Sequence, residues 1–162
     1  MDISNLITPE TVTFFGSMVP GTELRLAIPV GIGMGLSPIK AFIIGVIGNL
    51  IPNFIILWAL GPITKFLRKH SKTLDRFFEK LFEKTRNKHR KKFAQYGSVF
   101  IVFFVSIPLP GSGSWTGSLI AFLFGVKYWK AIALISIGVI IAGILVTTGF
   151  EGAYTLFNYL TA

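Results

Sequence analysis

The chain has 162 residues, 52% of them hydrophobic and 14% charged, with a net charge of +9 and no cysteine. A soluble domain of this size carries about 25% charged residues, so an ordinary water-soluble globule is excluded. The missing cysteines exclude disulfides and thiolate metal sites. Aromatic residues at 14% and a mean hydropathy of +0.67 point to a surface that largely faces lipid. The length allows one domain, 1–162.

The N-terminus starts with Asp2 and has no basic n-region, so no removable signal peptide is expected. Two short apolar limbs follow, Val12–Val19 and Leu24–Leu36, on either side of Pro20 and Gly21. Each is below the roughly 17 residues that a spanning helix needs. A Pro-Gly break between such limbs predicts a re-entrant hairpin with its tip at Pro20 and Gly21. Kinked full spans or interfacial helices are the alternatives. Ile39–Leu60 is long enough to cross a bilayer and contains Asn49, Pro52 and Asn53, which predict a kink or a polar contact.

The middle, Thr64–Tyr96, carries most of the charge. Twelve of the 16 Lys and Arg residues lie between Lys65 and Lys92. Clustering of this kind is a topology signal and not a nucleic-acid footprint, so no nucleic-acid partner is expected. Leu74, Phe77, Phe78, Leu81 and Phe82 recur with helical spacing, opposite Lys72, Arg76, Lys80 and Lys84. That pattern predicts an amphipathic helix lying on anionic lipid headgroups. A helix packing on its own protein is the alternative. His70 and His89 lack partners at ligand spacing and are read as solvated.

The second half repeats the first. Ser98–Leu109 and Trp115–Phe124 flank Pro110 and Gly111, and Ala131–Phe150 forms a second uncharged span. Shifting the chain by 90 positions aligns Pro20 with Pro110, Gly21 with Gly111, Gly35 with Gly125, Lys40 with Lys130 and Gly48 with Gly138. The units are 1–61 and 96–162, joined by a basic segment, 62–95. One hairpin plus one crossing makes an odd number of passes, so consecutive copies have opposite orientation. The fold class is therefore an all-α integral membrane protein, an inverted repeat of re-entrant hairpin plus transmembrane helix. Inverted repeats of this kind recur in secondary transporters. The positive-inside rule places 62–95 in the cytoplasm and both termini outside, a multi-pass protein of the cell membrane.

Glu23 and Arg25 follow the first break. Ionisable groups at membrane depth pair or face a cavity. At i, i+2 they do not face each other on a regular helix, so an intimate pair requires broken backbone. Pro108–Ser118 alternates small residues and offers Ser112, Ser114 and Thr116 as donors and acceptors. Gly111 and Gly113 free its backbone, either to nest an anion or to let two tips cross. Asn49 and Asn53 are a polar pair at i, i+4, for an interhelical hydrogen bond or a polar site. Glu23, Arg25, Asn49, Ser112, Ser114 and Thr116 form the candidate substrate or ion site, with Pro20, Gly21, Pro110, Gly111 and Gly113 at the hairpin tips. No catalytic set, cofactor site or metal-ligand cluster is visible, so an enzyme is not expected.

The runs PGTELRLAIPVG (Pro20–Gly31) and PLPGSGSWTGSLIA (Pro108–Ala121) resemble the signature motifs of the small multidrug export protein family. The architecture also resembles the DedA (VTT-domain) superfamily, whose members are implicated in moving lipids between leaflets. That resemblance implies that Glu23 matches the acidic residue of the first hairpin. The second hairpin lacks the Arg that DedA proteins carry there, leaving Arg25 as the cation at the centre. The expected function is a small proton- or ion-coupled transporter of a lipid-like or amphipathic substrate. The alternatives are a small cationic multidrug exporter and a non-transporting membrane interaction module. Two crossings and two hairpins bury little surface, so a homodimer is expected.

Overall fold

Thr8 sets the first helix. Its hydroxyl accepts from the Thr11 amide while the Thr11 hydroxyl accepts from the Thr8 amide at 2.9 Å, with Pro9 at the first helical position. From there the computed structural model, which describes residues 7–70, 72–107 and 112–161, is helical throughout its regular elements. In chain order these are α1 (Pro9–Met18), α2 (Glu23–Gly33), α3 (Pro38–His70), α4 (Lys72–Tyr96), a 3-10 turn (Gly97–Val99), α5 (Phe100–Ser106), α6 (Ser114–Leu123) and α7 (Tyr128–Thr161). Among the described residues there is no strand. The second hairpin tip, Pro110 and Gly111, lies outside the described residues, as does Pro108.

Both long helices exceed the predicted spans. Pro38–Phe66 and Tyr128–Thr161 are each long and apolar enough to cross a membrane. Pro52 and Pro62 sit inside α3 without ending it. Each withholds one N–H from the ladder, and the neighbouring turns carry the helix through. Ile39, Trp58 and Trp129 expose about three quarters of their surface, at 73%, 71% and 76%. Trp129, at the start of α7, suits the membrane interface.

The turns after α2 and after α6 share one hydrogen-bond pattern. The turn after α2 closes with Leu36 N–H to Gly31 O at 3.0 Å and Gly35 N–H to Ile32 O at 2.9 Å. After α6, Val126 N–H bonds Ala121 O at 2.9 Å and Gly125 N–H bonds Phe122 O at 3.1 Å. Each bond of one turn maps onto the other by adding 90. Gly35 and Gly125 both have positive φ, +101° and +68°, which a glycine reaches without steric cost.

The two long helices lie antiparallel. A Cβ placed on Gly143 would meet Phe42 Cε2 at 2.8 Å and Val46 Cγ2 at 3.1 Å, and Pro38 shares a surface pocket with Glu151. Towards the other end, Tyr128 Oη donates to Phe54 O at 3.4 Å. Pairs move down one helix as they move up the other. Each long helix also takes the second short helix of the opposite half, so α3 packs on α6 and α7 on α2. Ile28, Ile101, Ile120 and Ile135 fill the shared core without exposed surface.

The first hairpin is anchored at both feet. Glu10 at the start of α1 accepts from Lys40 Nζ at the start of α3 at 2.6 Å. That exposed pair holds the Glu10 carboxyl below its ordinary range, chiefly through the hydrogen bond from Lys40. The far end of α1 reaches Asn49, whose Nδ2 donates to Ser17 O at 3.1 Å. Asn49 lies 11 residues beyond Pro38, or about 16 Å at roughly 1.5 Å per residue, around half of a bilayer core of about 30 Å.

The basic segment differs from its expected form. Helix α3 runs past Leu60, through Gly61 and Pro62, to His70, and α4 begins at Lys72. Helix α4 also docks on the protein itself. Phe93 stacks on Phe124 with centroids 4.1 Å apart, and Phe82 meets Phe122 edge-on at 6.0 Å. His89, expected to be solvated, is buried at 7% exposure. Its ring meets Phe104 edge-on at 5.0 Å and lies 5.8 Å from Phe100. Burial, then the charges of Lys88 and Lys92, push its pKa below the ordinary value of 6.5. Phe77 is 59% exposed, and the side chains of His70, Leu74 and Phe78 fall outside the described set.

Candidate functional site

The hairpins meet at Glu23. This residue has φ +45°, a region that costs a non-glycine residue about 1–2 kcal/mol. The backbone is thus broken where an intimate Glu-Arg approach required it. Glu23 is only 6% exposed, and its carboxylate is pressed against Gly113, where a Cβ would collide with both carboxylate oxygens. The amides of Ser114 and Trp115 hydrogen-bond that carboxylate. Gly113 precedes the first residue of α6 and has no side chain with which to cap it. Glu23 supplies the missing cap from the other half of the protein. An anion at a helix N-terminus takes up the orphan amides and faces the positive end of the dipole.

Arg25 does the complementary task. Its Nη2 donates to Ile107 O at 2.9 Å, with longer contacts to Ser112 O at 3.2 Å, Val105 O at 3.3 Å and Ser112 Oγ at 3.4 Å. Ile107 caps the C-terminus of α5, where carbonyls lack intrahelical donors and a cation is favoured. Ser112 Oγ also donates to Ile107 O at 2.7 Å. The acid therefore holds the start of α6 and the cation holds the end of α5. Their closest atoms, Arg25 Nη1 and Glu23 Oε2, are 4.0 Å apart.

The structure brings Glu23, Arg25, Ser112, Gly113 and Ser114 together. At Gly113 and the start of α6 the group received is the chain's own Glu23 carboxylate. Gly21, with φ +95°, and Pro20 form the turn just before this cluster. Thr116 is partly buried and contributes to neither the Glu23 nor the Arg25 bonds.

Asn49 belongs to a second group on the α3–α6 crossing. Asn53 Nδ2 donates to Asn49 O at 2.6 Å, and its Oδ1 accepts from Ser118 Oγ at 2.9 Å. Both asparagines and Ser118 have no exposed surface. The interhelical hydrogen bond expected of the pair is therefore made by Asn53. Sequence reasoning did not select Ser118 or Ser17. The available signal was a pair of serines, Ser114 and Ser118, at the same i, i+4 spacing as the asparagines. Asn49 Oδ1, Ser114 Oγ and Trp115 Nε1 are buried without a hydrogen-bond partner among the described residues.

Beside the cluster is a cavity of about 540 Å³ between α4 and α5. It is lined by Lys92, Tyr96, Phe100, Phe103, Phe104, Ile107 and Ser112. Four of these are aromatic, one is a cation, and Ser112 is a residue that Arg25 holds.

Two apolar helices long enough to cross a bilayer, bracing short helices whose charged ends cap one another, define an all-helical membrane protein. The chain belongs to the family described as "Putative small multi-drug export protein", whose model matches residues 23–145. Among curated proteins and among solved structures nothing matches the chain.

Proposed function

We propose that this protein is a small, proton- or ion-coupled transporter of a lipid-like or amphipathic substrate, built as an inverted repeat of two re-entrant hairpins. The observation that carries the reading is the aromatic cavity that shares Ser112 with Arg25. An apolar tail suits its walls, while an anionic headgroup would draw the Arg25 fork from neutral carbonyls. A phosphate or carboxylate accepts two parallel bonds from the guanidinium fork, which a single carbonyl does not. The headgroup would thereby loosen the end of α5 and the Glu23–Arg25 pair with it. A relation to the DedA superfamily belongs to the same reading.

The re-entrant arrangement is supported by the Glu10–Lys40 contact at the feet of the first hairpin and by the depth at which Ser17 meets Asn49. The inversion is supported by the antiparallel long helices and the 90-residue mapping. Antiparallel packing also brings the start of α7, with Lys127 and Lys130, to the same end as the close of α3. Residues 62–95 then lie in the cytoplasm, with both termini outside. Arg76, Lys80, Lys84, Arg86, Lys88, Arg90 and Lys91 are exposed on α4 and suit anionic headgroups. A homodimer is part of the proposal.

A second reading, export of small cationic drugs, is favoured by the family's printed description. Reconstituted vesicles separate the two. Transport of a polyprenyl phosphate should fall at least tenfold in Arg25→Lys, which keeps the charge and loses the fork. Glu23→Gln should abolish any dependence on a proton or ion gradient while folded protein persists. Efflux of a cationic dye without lipid movement would hand the case to drug export. A C-terminal reporter facing the cytoplasm would sink the inverted topology.

A further inference from the structure

Across the α3–α6 crossing, Asn53 and Ser118 satisfy each other, whereas the residues one turn earlier on both helices do not. The two helices run the same way, since Asn53 meets Ser118 and, further along both, Gly61 approaches Phe122. One turn back the same faces present Asn49 and Ser114, at 0% and 1% exposure. Asn49 Oδ1 and Ser114 Oγ are the two atoms there without partners. The Asn49 amide nitrogen is fixed by Ser17 O, which turns its oxygen away from α1. The Ser114 backbone amide is fixed on the Glu23 carboxylate, so its hydroxyl stands beside a negative charge.

We infer that this crossing holds a buried alkali-cation site, with Asn49 Oδ1, Ser114 Oγ and a Glu23 carboxylate oxygen as ligands. The donors are all oxygen, which excludes soft metals. They include one carboxylate only. A buried divalent ion draws on several carboxylates or keeps its own water, and no group of three Asp, Glu, His or Cys residues exists among the described residues. One negative and two neutral oxygens match a single positive charge. Arg25 leaves room for it, because its Nη1 stands 4.0 Å from the nearest Glu23 oxygen, beyond hydrogen-bond reach, and its Nη2 is turned to the α5 carbonyls.

At the positions related by 90, the α7–α2 crossing has Val139 and Leu24 where this one has Asn49 and Ser114, both apolar and buried. The repeat therefore demands no polar residue here for packing. The site rests on the transport reading only for the use made of the ion, and not for its binding.

The test is thermal unfolding of the purified full chain in detergent, followed by tryptophan emission, in equal concentrations of NaCl, KCl and choline chloride. At least one alkali salt should raise the midpoint by about 2–4 °C over choline, the increment expected for a ligand at several times its dissociation constant. Ser114→Ala, a mild change in a helix, should remove that increment, and Asn49→Leu should do the same if it folds. Equal midpoints in the three salts would overturn the inference. So would an increment that survives Ser114→Ala, which would mean adventitious ions bound elsewhere. An increment that depends on Ser114 in a protein without transport would keep the site and remove its coupling role.

Discussion

The α3–α6 and α7–α2 crossings are made by equivalent residues of the two halves, yet one is polar and the other is dry. Asn49, Asn53, Ser114 and Ser118 in the first correspond to Val139, Gly143, Leu24 and Ile28 in the second. All eight are buried. The same asymmetry holds where Glu23 meets Gly113. Glu23 and Gly113 are themselves related by the shift of 90, so the carboxylate sits on its own counterpart at the centre of the repeat. One half contributes the charge and the other the space for it. Duplicated backbone thus solves the packing problem twice, while the chemistry is loaded on one side.

The contrast can be broken most severely at its dry side. Ile28→Asn places an amide where no partner exists and removes a fully buried side chain, so it should destabilise by about 3–5 kcal/mol. The converse change at the wet side, Asn53→Leu, strips the Ser118 hydroxyl of its acceptor and should cost about 1–3 kcal/mol. Detergent melting of both variants compares the crossings directly. Equal losses would mean that the two interfaces do not differ in how they tolerate polarity.

A smaller effect sharpens the role of the central contact. Gly113→Ala drives a methyl into the Glu23 carboxylate and should cost about 1–3 kcal/mol through the lost cap and local repacking. Glu23→Ala removes the same cap from the other side. Because both changes act on one contact, the double variant should lose clearly less than the sum of the singles. Strict additivity in the same melting assay would show that Glu23 does not cap α6.

The smallest effect concerns the docking of α4. His89 is buried and its folded pKa is lowered, so the unfolded chain binds the proton more readily. The stability that follows is fully present above the unfolded value of 6.5 and is lost as pH falls towards the lower folded value. The protection factors of α4 amides, which are corrected for the intrinsic rate, should fall as pH is lowered from about 7.5 to 5.5, and His89→Phe should remove that fall. A His89→Phe protein with an unchanged pH profile would assign the effect elsewhere.

Much of the frame was legible before any coordinates. The two long apolar helices and the interruption at Pro20 and Gly21 follow from local signals, because lipid selects apolar length and Pro or Gly selects the interruption. Helix ends were less legible. The spans were read as ending at Leu60 and Phe150, where apolarity fades, while the hydrogen-bond ladder continues through polar residues at no comparable cost.

The sequence by itself determined that Glu23 and Arg25 are out of place in an apolar setting and need partners. Only the tertiary structure decided which partners: the start of α6 for the acid and the end of α5 for the cation. It likewise decided that His89 lies against Phe100 and Phe104, and that Asn53 meets Ser118 while Asn49 and Ser114 keep one unpartnered oxygen each. Periodicity and breaks are properties of a segment and its solvent. The partner of a buried polar group depends on which faces of distant helices come within about 3 Å of one another, and no local rule in the chain specifies that.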